Sequence, residues 1–423
     1  MGLPEFATWL DTIQQFHSSE IELGLERLAQ VAQRLSIKPN ATVITIAGTN
    51  GKGSTAHAIS QIAQAHGQRV GLYCSPHFLR FTERALINNQ EQTEQQWIEA
   101  FERIDNARQE IPLTFFEFTT LAAFLLFEAQ ELDLWVLEVG LGGRLDAVNI
   151  IDSDVAIVTS IGLDHQDFLG ETREAIGFEK VGIARCDKPL IIGAQDCPQS
   201  VLKQAQALTK HLHVIDRDFH LHRHLHLSGT GHAFNFANQQ QNIEISLPPF
   251  FVPSNAAVAI QALYQWRSDW QVGVIQEVLG SLELKGRAQA VKHGSHSFLL
   301  DVGHNPQAVE AFMTHLDQSK CYSVIIGMLK DKDTLGVLQQ LEPMIEHWSL
   351  VNLDAGRNAG VDVLRAQVLS IEPGAQIDQF DTVKQAIEHQ LSQPVKPTPC
   401  LILGSFFTIA EGLAFFEGGG EAS

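Results

Sequence analysis

The sequence predicts an α/β protein with two domains: a mostly parallel sheet domain carrying a small antiparallel patch, then a second, smaller α/β domain. Three observations predict it. A β-branched run, Val43-Ile44-Thr45-Ile46, leads into the glycine-rich turn Ala47–Thr55 and then a helix-like segment. Short apolar runs alternate with helical stretches along most of the chain, the pattern of strands joined by crossover helices. Residues 211–247 break it, because their alternation has period two and no long helix intervenes.

Taken in order, Ile21, Leu25, Leu28, Ala32 and Leu35 lie at helical spacing and predict a helix over Ile21–Leu35. Val43–Ala47 and Val70–Cys74 are strands on either side of a helix over Ser54–His66. Thr93, with Gln96 three residues on, is a capping-box start. Leu134–Val139, Val155–Ser160 and Leu190–Gly193 are further apolar strands, and helices follow at Ser254–Trp266 and Val272–Leu282. A second series of strands covers Phe298–Val302, Tyr322–Gly327, Trp348–Leu353 and Cys400–Gly404. At 423 residues the chain exceeds one typical core, and the boundary is placed near Lys285-Gly286-Arg287, giving domains 1–285 and 286–423.

Bulk properties exclude several classes. The net charge of −20 disfavours nucleic acid and anionic membrane as partners, since both need clustered Lys and Arg. No apolar run reaches membrane-spanning length, and the first ten residues do not read as a secretion signal, so a cytoplasmic location is expected. Cys74, Cys186, Cys197, Cys321 and Cys400 are scattered, without a CxxC pair, and read as reduced thiols.

The chemistry starts at Gly48-Thr49-Asn50-Gly51-Lys52-Gly53-Ser54-Thr55. Glycines let backbone N–H groups approach phosphate oxygens, the following helix offers its positive end, and Lys52 reaches outer phosphates. The first domain therefore reads as a P-loop-type domain. The spelling is irregular: Ile46 stands where the common motif has its first glycine, and Gly53 separates Lys52 from the hydroxyls. Glu138 ends an apolar strand before Gly140-Leu141-Gly142-Gly143-Arg144-Leu145-Asp146, a position suited to Mg²⁺ beside a phosphate loop. Asp164-His165 follows the next strand, and parallel sheets bind ligands at strand carboxyl ends. Asp301-Val302-Gly303-His304 opens a strand-to-helix turn in the second, Rossmann-like domain, where it suits ATP contacts. His220, His222, His224 and His226 share one strand face and read as a solvated surface, not a metal site.

Together these motifs resemble the folylpolyglutamate synthase family, ATP-dependent amide ligases related to the Mur ligases, and within it the bifunctional bacterial dihydrofolate synthase branch. Leu23–Arg27, Gly48–Ser54, Ser75–Arg84, Thr114–Phe118, Glu138–Asn149 and Leu163–His165 occur in the family's order, and Pro248-Pro249 resembles the bifunctional branch. The resemblance implies ATP binding at Gly48, Thr49, Asn50, Gly51, Lys52, Gly53, Ser54, Thr55, Asn255, Arg287, Asp301 and His304. It implies Mg²⁺, as two ions, at Ser54, Glu138, His165 and a carbamylated Lys180. It implies catalytic parts for Lys52, Lys180 and His165, pterin binding at Arg80, Thr82, Phe116, Asp146 and Ala147, and glutamate binding at His304 and Ser405.

The implied reaction joins L-glutamate to dihydropteroate and to reduced folates through an acyl phosphate, with ATP at the domain junction and a monomer as the working unit. Gly303 replaces the family's usual alanine, and Phe407 stands where histidine is frequent, so position 407 is assigned no part. Two other functions share some of these features: a Mur-type ligase acting on a UDP-linked substrate, and a nucleotide-binding switch that ligates nothing. Ser75–Arg84 and Thr114–Phe118 argue for a pterin, and the Asp301–Pro306 turn argues against a switch.

Overall fold

A computed structural model describes residues 5–19, 21–223, 232–238, 241–248 and 251–418. The chain divides into two compact units, Met1–Leu282 and Glu283–Ser423.

The first unit is built on an eight-stranded sheet. Its strands are β1 (Thr42–Ala47), β2 (Val70–Tyr73), β3 (Ala85–Ile87), β4 (Gln90–Glu91), β5 (Leu134–Glu138), β6 (Val155–Val158), β7 (Leu190–Ile192) and β8 (Leu212–Val214), in the order β4-β3-β2-β5-β1-β6-β7-β8. The pairs β2–β5, β5–β1, β1–β6, β6–β7 and β7–β8 are parallel, whereas β3 pairs antiparallel with both β2 and β4 and is the one reversed strand. Strands β1, β2, β5, β6 and β7 are buried along nearly their whole length, as strands covered by helices on both faces must be. One face is covered by an aromatic-rich core including Trp97, Phe101, Phe118, Phe124 and Trp135. An aliphatic core including Val139, Val158, Ile176, Val181 and Val201 forms beside it.

The register positions the site. Ile46 pairs with Glu138, and Ala47 pairs with Val158, so β1, β5 and β6 end at one edge. The chain leaves β1 toward β2 on one side and enters β6 on the other. That reversal makes the crevice where open α/β sheets bind ligands.

The three-stranded antiparallel sheet is β9 (Phe219–Arg223), β10 (His232–Asn238) and β11 (Asn242–Leu247). Ile243, Ile245 and Leu247 alternate into its buried face. The expected antiparallel patch is thus present but starts later, because Leu212–Val214 pairs parallel with β7 as an edge of the main sheet. His220 and His222 stack at 5.5 Å, whereas His224 and His226 lie outside the described residues, as does Pro249.

The second unit holds β12 (Gln289–His293), β13 (His296–Leu300), β14 (Tyr322–Ile326), β15 (Ile345–Val351), β16 (Ile377–Phe380) and β17 (Cys400–Leu403), in the order β12-β13-β17-β14-β15-β16. It is parallel apart from β12, the antiparallel edge. The fold class expected from sequence is the one found. One helix differs in extent. It spans Glu26–Leu35 rather than starting at Ile21, because Gly24 takes φ +150° and Arg27 turns back to pair with Glu22. Among the described residues, no helix is long and apolar enough to cross a membrane.

Candidate active site

The loop after β1 is held from outside. Thr49 N–H donates to Ser160 O (3.0 Å), Asn50 N–H donates to Ser160 Oγ (2.8 Å), and Thr159 Oγ1 donates to Asn50 O (2.7 Å). Thr49 Oγ1 bonds to the backbone of Gly162 (3.1 and 3.0 Å). Gly48 takes φ +156° where a Cβ would collide with Thr159 Oγ1, so only glycine fits. Gly51, at φ +86°, forms the N-cap of the helix Lys52–Ala65 and lies against the Asn255 side chain. Lys52 is that helix's first residue, and its Nζ donates to Gly48 O (3.0 Å).

A Cβ at the irregular Gly53 would stand 3.5 Å from Glu138 Oε2, an ordinary contact, so the backbone there does not require glycine, but the Glu138 carboxylate lies beside the chain between Lys52 and Ser54. Glu138 is buried, and its Oε2 accepts the Ser75 N–H (3.3 Å). Ser54 and Glu138 thus share one neighbourhood.

The glycines after Glu138 serve packing. Gly140 lies under the Phe116 ring, and a Cβ on Gly143 would stand 2.8 Å from Glu179 O and 3.0 Å from Lys180 O. The turn therefore seats the helix Arg173–Val181, which carries Lys180 and is capped by Thr172. Close approach to a ligand is the sequence-based expectation for these glycines; what Gly140 and Gly143 approach is this protein's own chain.

Lys180 is 3 % exposed. Burial, then repulsion from Lys52, pushes its amine down to about 7, against the attraction of Asp164 and Asp146. Asp146 is equally buried, and burial pushes its carboxyl up to about 7, although the Leu141 and Val148 N–H groups donate to it (2.8 and 3.0 Å) and Lys52 attracts it. Lys52, Asp146, Asp164 and Lys180 thus act on one another through space. His165 sits beside Asp164 in a left-handed conformation, φ +51°, and its N–H bonds to Asp164 Oδ1 (2.9 Å). Asp164, which stands in the Leu163–His165 motif but is assigned no role by the sequence, joins the group by its action on Lys180.

The expected pterin-side residues divide. Ala147 is buried beside Asp146, and Phe116 packs on Gly140 and tilts against Tyr73 (6.3 Å). Arg80 and Thr82 both bond to Glu91, Arg80 through two nitrogens (3.1 and 2.5 Å). Arg84 is buried between the Phe81 and Phe115 rings (5.4 and 5.5 Å), and its Nε donates to His77 Nδ1 (2.9 Å).

In the second unit, Asp301 is half-buried and accepts the N–H groups of Ala288 (2.9 Å) and Gly303 (2.7 Å), which ties the Arg287 turn to the end of β13. Burial raises its carboxyl, against the Arg287 charge. His304 Nδ1 lies 3.0 Å from Val302 O, and Asn305 caps the helix Pro306–Met313. Arg287 stands over the Phe406 ring (5.7 Å). Ser405 is a buried cap: its Oγ accepts Thr408 N–H (3.0 Å) and contacts Thr408 Oγ1 (2.8 Å).

Among the described residues, no three His, Cys, Asp or Glu side chains are grouped to hold a metal by themselves. Oxygen donors around a phosphate loop suit Mg²⁺ all the same, because that ion takes one or two protein oxygens and completes its shell with waters and substrate phosphates.

The Mur ligase middle domain matches residues 46–263, and the Mur ligase glutamate ligase domain matches residues 286–406. The dihydrofolate synthase/folylpolyglutamate synthase of Escherichia coli K12 is 40% identical over 409 residues, covering 96% of this chain and 94% of that one. The Haemophilus influenzae protein of the same name is 38% identical, with 97% of each covered. Escherichia coli FolC in complex with DHPP and ADP superposes with TM-score 0.90 at 38% identity, covering 98% of both chains. The bifunctional enzyme of Yersinia pestis complexed with AMPPNP and Mn ion gives 0.88 at 38% identity, with 97% and 98% covered. Two family models in tandem and end-to-end identity agree: the chain belongs to the Mur ligase family, in its dihydrofolate synthase/folylpolyglutamate synthase branch.

Proposed function

We propose that the chain is an ATP-dependent ligase adding L-glutamate to dihydropteroate, which forms dihydrofolate, and to reduced folates, which forms folylpolyglutamates. The observation carrying this reading is the match across nearly the whole chain to enzymes of that name, over a site where Lys52, Ser54 and Glu138 gather at one sheet edge.

A pterin carboxylate oxygen attacks the γ-phosphorus of ATP, and ADP leaves. The amine of L-glutamate then attacks the acyl carbon of the acyl phosphate, phosphate departs and the amine gives up a proton. Gly48–Thr55 cradles the nucleotide, with Lys52 offsetting charge on the transferring phosphoryl group. Ser54, Glu138, His165 and Lys180 are the proposed holders of two Mg²⁺ ions, which when bound neutralise phosphate charge. Asn255, Arg287, Asp301 and His304 complete the nucleotide contacts, while Arg80, Thr82, Phe116, Asp146 and Ala147 receive the pterin. His304 and Ser405 are the proposed glutamate contacts.

Lys180 suits carbamylation. A buried amine held near 7 is substantially neutral at physiological pH, and its lone pair adds to CO₂ with loss of a proton. The product is an oxygen ligand for Mg²⁺ where a cation stood.

The test is ATP consumption with dihydropteroate and L-glutamate, each omitted in turn. Dependence on both supports the ligase. Slow turnover that ignores both would make the chain a nucleotide switch, and inactivity with a pterin but turnover on a UDP-linked acid would make it a Mur-type enzyme.

A further inference from the structure

We infer that Thr159 and Ser160, at the carboxyl end of β6, are positioning residues that set the phosphate-facing geometry of the nucleotide loop from a neighbouring strand. The inference rests on the reading of Gly48–Thr55 as the ATP cradle.

Most of the loop's cross-strand bonds run to residues 159–162. Asn50 O receives two hydroxyls, Thr159 Oγ1 at 2.7 Å and Ser160 Oγ at 3.0 Å. Ser160 Oγ also accepts Asn50 N–H at 2.8 Å, so one side chain holds both polar groups of that residue. In a trans peptide the C=O and the next N–H point in opposite directions. Drawing Asn50 O toward β6 therefore turns the Gly51 N–H away from β6. Gly51 starts the Lys52 helix, so on the reading of the loop as the ATP cradle its N–H is one of those left to meet phosphate. The Thr159 hydroxyl also occupies the space a side chain at position 48 would need. Thr159 is buried, and Thr49 completes the clamp through Gly162.

The clamp has a second consequence. Residues 159–162 run directly into Leu163-Asp164-His165, and Asp164 acts on Lys180. The same short segment thus fixes the loop carrying Lys52 and the turn carrying Asp164.

The experiment titrates the full-length protein with AMPPNP and magnesium, and measures KM for ATP, dihydropteroate and L-glutamate separately. The variants are Thr159→Val, Thr159→Ser, Ser160→Ala and Lys52→Ala. Each net hydrogen bond lost weakens binding about three- to tenfold. Thr159→Val is expected to weaken AMPPNP and raise KM for ATP by that factor, and Ser160→Ala, which loses two bonds to Asn50, by at least as much, with the other two KM values unchanged. Thr159→Ser keeps the hydroxyl and should stay within about twofold of the parent. Parental AMPPNP affinity in both Thr159→Val and Ser160→Ala, with Lys52→Ala defective, overturns the positioning role. An equal rise in all three KM values with a falling Tm also overturns it, as that is general loosening. Parental nucleotide affinity in Lys52→Ala instead removes the reading of the loop on which the inference stands.

Discussion

The candidate residues of the first unit come from widely separated stretches of chain, whereas those of the second unit bond mainly within or between neighbouring turns. Lys52, Glu138, Asp164, Lys180 and Asn255 lie far apart in sequence and are assembled by the sheet. Asp301, His304, Asn305 and Ser405 each bond mainly within a few residues of themselves or across one turn. The assembled group leaves two ionisable side chains at odds with their usual protonation, Lys180 and Asp146, both pushed to about 7. Burying charge in this way lowers stability and is retained where chemistry needs it. The turn devices each satisfy backbone groups that would otherwise be orphaned, although Asp301 also has its carboxyl raised by burial. Substitution in the first unit should therefore damage turnover before stability, and substitution in the second should damage stability at least as much.

The largest effect is expected at Lys52. Lys52→Ala should lower ligation roughly a thousandfold, because a cation aimed at transferring phosphate is removed. Its Tm should hold, since the two bonds described for the side chain, to Gly48 O and Thr49 O, stay within its own loop. ATP-dependent glutamate addition at the parental rate would reverse this expectation. Lys180→Ala comes next, with a loss of about a hundredfold or more and partial recovery on adding acetate or formate, small carboxylates that replace a lost oxygen ligand. Mass spectrometry under CO₂ offers a second readout, as a carbamate adds mass at Lys180 alone.

Ser405→Ala sharpens the contrast from the other side. It removes a buried acceptor from Thr408 N–H and should cost about 1–2 kcal/mol in denaturant unfolding. A change confined to KM for L-glutamate, with unfolding unaltered, would give Ser405 to the substrate instead of the helix. Asp146→Asn should be milder for stability, about 1 kcal/mol. Both carboxyl oxygens accept backbone N–H groups, and an amide offers only one acceptor.

Much of the parallel architecture can be read in the sequence because buried strands are nearly uniform apolar runs and their turns carry glycine. The loop, Glu138 and Asp164-His165 were legible for the same reason: each directly follows such a run. The edges were not. β4 has two residues and β16 reads Ile-Asp-Gln-Phe, too short and too mixed to show a period. β8 looked like part of the antiparallel patch because three residues cannot reveal strand direction. The clamp by Thr159 and Ser160 was invisible because its partners lie about 110 positions away, and hydroxyl residues after a strand are ordinary. Ser405 has the opposite problem. A resemblance places it near glutamate, but its cap bond to Thr408 appears only in three dimensions.

The smallest expected effect tests whether tension exists in the first unit outside the assembled group. His77 accepts Arg84 Nε–H at Nδ1, and its ring meets the Phe81 ring at 5.8 Å. Burial, then the Arg84 charge, pushes the imidazole down to about 4, only partly offset by Glu83. In the unfolded chain it titrates near 6.5. The folded state therefore binds the proton more weakly. The contribution is fully present above pH 6.5 and is lost as pH falls toward 4, below which both states are protonated and the loss levels off. Allowing for the solvent that still reaches the ring, the change amounts to about 2 kcal/mol. His77→Gln keeps an acceptor for Arg84 and does not titrate, so its unfolding free energy should fall less steeply between pH 6.5 and 4 than the parent's. Parallel curves would mean that the Ser75–Arg84 loop accommodates the protonated ring. That outcome would leave Asp146 and Lys180, in the assembled group, as the residues that carry the tension.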